Sequence, residues 1–263
     1  SVLNGRQWHN LLPVESTAVS ALADAAKDHV LHDGNDWLIY NELRGLFERD
    51  QHTPYLLAGL VAKLWLVSCA SGRTPPQTFN FVKTLDGDKG RRAVLAGLSH
   101  EQGIVCEPAE FDKLPYMLNC AGIAVDLRTG KSRAAKPADR FTQSTNCKPE
   151  AGETPETDRF MQWCTCGDAE STLYLLRLFG YGLTGETKEQ CFWNFYGNGG
   201  NGKGTLVRLI RKAMGDYAGA VPDTPILKSR DNRFDGACLV GKRPAIGEDL
   251  GSGSLYRPLR KAL

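Results

Sequence analysis

Gly197-Asn-Gly-Gly-Asn-Gly202-Lys203-Gly204-Thr205 is the stretch on which the architecture of this chain turns. Before it runs Cys191-Phe-Trp-Asn-Phe-Tyr196, apolar, aromatic and of strand length. After it, Leu206, Val207, Leu209, Ile210 and Ala213 fall at helical spacing, and Gly215 is placed to end the helix. Strand, glycine-rich loop and helix together are the context in which a phosphate-binding loop works. Glycines let the main chain bend closely round phosphate oxygens with its N–H groups turned inward. The helix adds the partial positive charge of its N-terminus, and Lys203 a cation that can reach β- and γ-phosphates. Asn198 or Asn201 is suited to position the γ-phosphate or its water. The expected nucleotide contacts are Gly197, Asn198, Gly199, Gly200, Asn201, Gly202, Lys203, Gly204 and Thr205. The competing reading is a flexible glycine-rich hairpin with an incidental lysine.

One position departs from the usual loop, in which a hydroxyl residue follows the lysine and binds Mg²⁺. Here Gly204 follows, and Thr205 stands one place late. Either Thr205 takes over as the metal ligand or water does. A phosphate loop also calls for a later strand ending in acids. Leu239-Val-Gly-Lys-Arg-Pro-Ala-Ile-Gly-Glu248-Asp249 fits, about 45 residues after Lys203, a reasonable gap for a helix and a crossover. Of Glu248 and Asp249, one would hold Mg²⁺ and the other polarise the attacking water. Pro244 suits only a strand start or an edge. Standing alone, such an acidic pair would read as a solvated turn.

Upstream of the loop, Thr154 as N-cap, Pro155 at the first helical position and the acids Glu156 and Asp158 announce a helix carrying Phe160, Trp163 and Cys164 on one face. Asp168 caps a second helix through Leu173, Leu176 and Phe179, with Gly180 and Gly182 as its stop. Residues 146–153, polar with Pro149 and Gly152, are the expected linker. Tyr116–Asn119 and Ile123–Leu127 read as strands about an Ala121-Gly122 turn, with Arg128-Thr-Gly130 as the next turn. Arg91–Leu98 is helical in pattern. Ser71-Gly72 and Pro75-Pro76 are breaks in a turn-rich stretch. Val19, Leu22, Ala23 and Ala26 predict a helix, Asp36–Tyr40 and Leu43–Phe47 two strands, and Thr53-Pro54 the start of another helix. Trp37, Tyr40, Trp65 and Phe81 are interleaved with aliphatics, which favours core packing over stacking on bases.

The 263 residues are 41% hydrophobic and 24% charged, a globular composition that excludes disorder and a disulfide-stapled miniprotein. The net charge is only +2, but residues 188–263 hold 13 Lys or Arg against 7 Asp or Glu, so an anionic partner is expected at that end. The eight cysteines show no zinc-site spacing beyond Cys164-Thr-Cys166 and read as buried free thiols in a reducing compartment. Leu56–Ala70, interrupted by Lys63, is too short to span a bilayer. The chain opens at Ser1 rather than Met and without a signal region, so a processed protein or a piece of something longer is expected.

Several of these motifs together resemble the phage/plasmid primase–helicase family, related to the poxvirus primase–helicase within helicase superfamily three. They are Phe179-Gly-Tyr-Gly-Leu-Thr-Gly185, the run from Phe195 to Gly204, Met214-Gly-Asp-Tyr217, Leu239-Val-Gly-Lys-Arg243 and Glu248. Leu118–Gly130 and Asp139-Arg-Phe-Thr142 resemble the domain that precedes the helicase in those proteins. The likeness covers residues 110–263 well and 13–110 loosely, and relatives also carry glycine after the loop lysine.

The resemblance implies an α/β chain in which an N-terminal mixed α+β domain, residues 1–152, precedes a partial P-loop, AAA+-like ATPase with a parallel sheet, residues 153–263. It implies ATP and Mg²⁺ as ligands, a homo-oligomeric ring, hexameric in the full-length parent, and single-stranded or forked DNA as partner. Lys203, Glu248 and Asp249 would be catalytic, Thr205, Glu248 and Asp249 the metal ligands, and Lys242 and Arg243 DNA contacts. The location implied is cytoplasmic, in a bacterial host of a phage or mobile element. The family's sensor residue and arginine finger fall beyond Leu263, so nucleotide binding with weak or no hydrolysis is expected. Two other functions compete. One is a non-catalytic oligomerisation or DNA-binding module of a replication protein. The other is a small-molecule kinase or another P-loop transferase, disfavoured because no lid or substrate-binding arginine cluster follows the loop.

Overall fold

The computed structural model describes residues 12–70, 75–189, 192–220 and 239–247. They form two compact units, the first holding the described residues of 12–41, 47–111 and 136–140, the second those of 42–46, 112–135 and 141–247. No helix among the described residues is long and apolar enough to cross a membrane.

The first unit joins four helices to a small sheet. Helix α1 (Glu15–Ala26) buries Ala18, Val19, Ala21, Leu22 and Ala26, the face its spacing predicts. Strands β1 (Val30–His32) and β2 (Trp37–Asn41) pair antiparallel, Leu31 opposite Leu38, and β3 (Leu46–Arg49) completes the sheet three residues later than its expected start. Helix α2 (His52–Cys69) begins where Asp50 turns its carboxylate onto the chain. That group accepts the N–H bonds of His52 at 2.7 Å and Thr53 at 3.1 Å, so Asp50 satisfies the first free amides of the helix. Helix α3 (Pro76–Leu85) occupies part of the stretch expected to be turns: Pro76 sits at the first helical position and Thr78, Val82 and Leu85 face inward. Helix α4 (Asp88–Leu98) meets α1 at Gly97, where an added Cβ would stand 2.7 Å from Val19 Cγ2. Trp65, fully buried, lies at the centre with Leu22, Val61, Val82, Val94 and Leu98. Trp37 and Tyr40 are also buried, and Phe81 packs against the same core, as the pattern predicts.

The second unit is built on the antiparallel meander of β4 (Met117–Cys120), β5 (Ile123–Asp126) and β6 (Ser132–Ala134). Its first turn needs positive φ at both Ala121 (49°) and Gly122 (90°), the tight two-residue form that suits the strand twist. Strand β6 is an element the sequence pattern did not announce. Helices α5 (Pro155–Cys164), α6 (Ala169–Leu183) and α7 (Lys203–Met214) follow. Asp168 caps α6 as expected, accepting the Ser171 N–H at 3.0 Å, but the helix runs through Gly180 and Gly182 to Leu183. Leu118 and Cys120 of β4 bury against Met214 of α7 and Tyr217 of the following 3₁₀ turn, with Val125, Leu183 and Ile210 packed around them.

Asn119 ties this core together. Fully buried, it donates from Nδ2 to the carbonyls of Arg44 (3.0 Å) and Gln143 (3.1 Å) and accepts the Gly122 N–H at Oδ1. Its own N–H donates to the Tyr217 hydroxyl at 3.0 Å. Asn146 donates to the Lys212 carbonyl, so the segment expected to open a linker is bonded to the end of α7. The meander and α7 share one core and belong to the same compact unit.

The chain is mixed α/β, with two small antiparallel sheets. Parallel pairing is seen between β7 (Gly219–Ala220) and β8 (Ala245–Ile246), two residues each. Pro244 stands just before β8, where proline is tolerated. An extended parallel ATPase sheet is not seen among the described residues. Residues 192–196, expected as its first strand, pair with no neighbouring strand, and Cys191 lies outside the described residues. Phe192, Trp193, Phe195 and Tyr196 are substantially exposed, although Trp193 sets its ring edge-on to Tyr181.

Candidate nucleotide site

The glycine-rich loop passes directly into α7, with Gly202 as N-cap and Lys203 as the first helical residue. Three of its glycines hold positive φ: Gly197 at 147°, Gly200 at 76° and Gly202 at 82°. Gly202 is the constrained one. A Cβ there would meet Cys164 Sγ and Trp163 Cζ3 at 2.8 Å each, because this turn rests on the end of α5. Both the backbone angle and the space thus require glycine. Phe160 and Trp163 stack on each other beneath it, centroids 6.2 Å apart.

Lys203 extends back across the loop. Its Nζ donates to the carbonyls of Gly197 (3.0 Å) and Asn198 (3.1 Å) and to Asn201 Oδ1 (2.7 Å). All three ammonium protons are committed to loop oxygens, which fixes the loop as a ring about the charge. A phosphate oxygen would replace one or more of these acceptors with a formal negative charge, a stronger partner than a neutral carbonyl or amide. Beside the lysine is a cleft of about 180 Å³ walled by Phe179, Phe195, Tyr196, Leu206 and Cys164. Burial pushes the Cys164 thiol above its ordinary pKa.

Thr205 is exposed, in the first turn of the helix, and its hydroxyl accepts from Arg208 Nη2 at 3.3 Å. Arg208 was not singled out from the sequence; the available signal was its i+3 spacing from Thr205. It adds a second cation near the helix N-terminus, where a phosphate is favoured already. Residues 197–215 contain four Lys or Arg and no Asp or Glu, so nothing within the loop or α7 opposes an anion. The donor set fits a polyphosphate: one primary ammonium held by exchangeable acceptors, a helix N-terminus and a hydroxyl. Among the described residues no group of three or more His, Cys, Asp or Glu is arranged to hold a metal ion. Glu248 and Asp249, expected as metal ligands and catalytic acids, lie outside the described residues, and β8 ends two residues before Glu248.

Lys242 and Arg243, expected as DNA contacts, both bond within the chain. Lys242 Nζ donates to Gln143 Oε1 at 3.0 Å and to the Asp216 carbonyl. Arg243 points its guanidinium inward: Nη1 donates to the Leu183 carbonyl and, at 3.4 Å, to that of Pro115, and Nη2 donates to that of Met117. The group also lies 4.6 Å over the Tyr217 ring. Burial lowers the Arg243 pKa and raises that of the Tyr217 phenol. Both cations are thus occupied in tying the segment before β8 to β4, α6 and the 3₁₀ turn. Nearby Asp112 accepts from the Thr142 N–H and hydroxyl, and burial is the main cause of its raised pKa.

Among the described cysteines none is paired; Cys69, Cys106 and Cys120 are buried, whereas Cys147 and Cys166 are exposed, against the expectation of uniformly buried thiols. A family model described as D5 N terminal like matches residues 23–166, more than half of the chain. No curated protein matches it.

Proposed function

This chain belongs to the D5 N terminal like family, and from that premise we propose that it is the ATP-binding part of a DNA replication helicase of the primase–helicase type. The family's domain is the N-terminal region of phage and viral primase–helicase proteins. The observation that carries the nucleotide reading is Lys203, at the first position of α7, ringed by oxygens of the glycine loop that precedes it. In this reading the triphosphate of ATP seats at Gly197–Thr205. Lys203 leaves its loop acceptors for phosphate oxygens, and the N-terminal amides of α7 and Arg208 complete the anion site. Thr205 is the hydroxyl available to Mg²⁺, which would neutralise charge on the phosphates. Glu248 and Asp249 follow β8 in sequence and would supply the acids for the metal and the attacking water. The full-length parent would act as a ring, with hydrolysis coupled to unwinding of DNA.

One observation favours the alternative of a non-catalytic assembly or DNA-binding module: among the described residues, 192–196 pair with no strand. Calorimetry with ATP and Mg²⁺ separates the two. The expected result is binding by the wild-type chain, none by Lys203→Ala, and equal melting temperatures of the two proteins without nucleotide, because the lysine bonds only to its own exposed loop. A well-folded wild-type chain that takes up no ATP would overturn the nucleotide reading.

A further inference from the structure

We infer that the β5–β6 hairpin, with the cleft beside it, is a binding surface for the sugar–phosphate backbone of single-stranded DNA, separate from the nucleotide loop. The choice of DNA over other polyanions rests on the replication reading above.

The surface begins with charge. Residues 113–135 carry four Lys or Arg and one acid, Asp126. Asp126 is turned inward on its own turn, accepting from the Arg128 N–H at 2.9 Å and the Thr129 hydroxyl at 2.9 Å. Residues 128–134 are exposed without interruption, so Arg128, Lys131 and Arg133 project from one hairpin into solvent. Arg128 lies over Tyr116, its guanidinium carbon 3.8 Å from the ring centroid. Charge continues from there. Tyr116 also reaches Glu186, which is paired with Lys188 at 2.8 Å, and Lys188 feels the charge of Arg128. Lys188 in turn borders an open cleft of about 430 Å³ that Lys113 and Lys242 also line. The tract therefore runs from Lys113 through Lys188 and Arg128 to Lys131 and Arg133, with Lys242 held apart by its bonds to Gln143 and Asp216.

Its carboxylates are all engaged: Asp112 by Thr142, Asp126 by its turn, Glu186 by Lys188. Basic residues on an exposed edge strand also discourage sheet-to-sheet pairing, which would account for Lys131 and Arg133. It accounts neither for the guanidinium stacked on an aromatic ring nor for the cations around the cleft. An Arg–Tyr platform flanked by lysines is the arrangement on which bases stack while cations follow the phosphates.

The test is fluorescence anisotropy of a fluorescein-labelled oligo-dT with the full chain over a range of salt concentrations. The variants are Lys131→Gln/Arg133→Gln, Arg128→Gln and, as a control on the other unit, Lys83→Gln/Lys89→Gln. Removing two phosphate contacts should lower the slope of log affinity against log salt by about 1.4, at about 0.7 per contact on a single strand. Arg128→Gln should weaken binding as well, and the control should leave both affinity and slope at wild-type values. Melting temperatures within about 1 °C of wild type verify that these surface variants fold. Absence of oligo-dT binding by the wild-type chain, or equal losses in hairpin and control variants, would overturn the inference. ATP binding by calorimetry is read on the same proteins. Retained ATP binding without oligo-dT binding refutes this surface alone, whereas oligo-dT binding without ATP binding refutes the nucleotide site alone.

Discussion

Replacing Gly202 by alanine should cost the second unit about 2–3 kcal/mol and impair nucleotide binding. The figure has two parts. At φ +82° the residue sits in the left-handed region, where a Cβ costs roughly 1–2 kcal/mol. The new methyl would also stand 2.8 Å from both Cys164 Sγ and Trp163 Cζ3. Overpacking in a rigid core costs about 1–3 kcal/mol, but Trp163 is 58% exposed and has room to swing outward, so the low end, about 1 kcal/mol, applies. Urea denaturation measures the sum. A double-mutant cycle with Cys164→Ala separates the parts: removing the sulfur relieves one contact and leaves the backbone term intact, so a coupling of roughly 0.5–1 kcal/mol is expected. A Gly202→Ala chain within 0.5 kcal/mol of wild type that binds ATP normally would refute both the described loop path and its support by α5.

Arg243→Ala leaves the part-buried carbonyls of Leu183 and Met117 without this donor, removes one of two donors to that of Pro115, and uncovers Tyr217; a loss of about 3 kcal/mol in urea is expected. Arg243→Lys should recover less than half of that, since a point charge cannot fork to separate acceptors. Asn119→Ala removes the amide bonded to Arg44, Gln143 and Gly122 and should lower stability by about 3 kcal/mol, read as a fall in melting temperature. The Cys106 thiol, pushed up to about 11 mainly by burial, gives a pH signature. Above its unfolded value of 9.0 the unfolded chain loses this proton while the folded chain keeps it, so the stability contributed below pH 9 is lost as pH rises towards 11. Cys106→Ala should flatten that slope. In thiol labelling at pH 8, Cys147 and Cys166 should react quickly, and Cys69, Cys106 and Cys120 only on unfolding.

Short-range chemistry made much of this chain readable. Helix α1 follows from four apolar positions, the α6 cap from Asp168, and the β4–β5 turn from Ala121-Gly122, because each depends on residues within a turn or two of one another. The glycine loop and the helix after it were legible for the same reason. Helix α3 was missed because paired prolines read as a break, although proline at the first helical position starts helices as well.

What sequence alone determined is the local grammar: the helix faces, the Asp168 cap, the Ala121-Gly122 turn, and the glycine loop leading into α7. Tertiary structure alone decided that the meander and α7 share one core, and that Lys242 and Arg243 face carbonyls instead of solvent. It also brought the three exposed cations of the β5–β6 hairpin into line with Lys188 and a cleft. The partners in these cases lie far apart in the chain: Arg243 meets Pro115 and Met117, and Asn119 meets Arg44 and Tyr217. A run of residues states its own backbone preference and its apolar face. The buried carbonyl that a distant guanidinium will satisfy is set only when folding brings the two together and excludes water from between them.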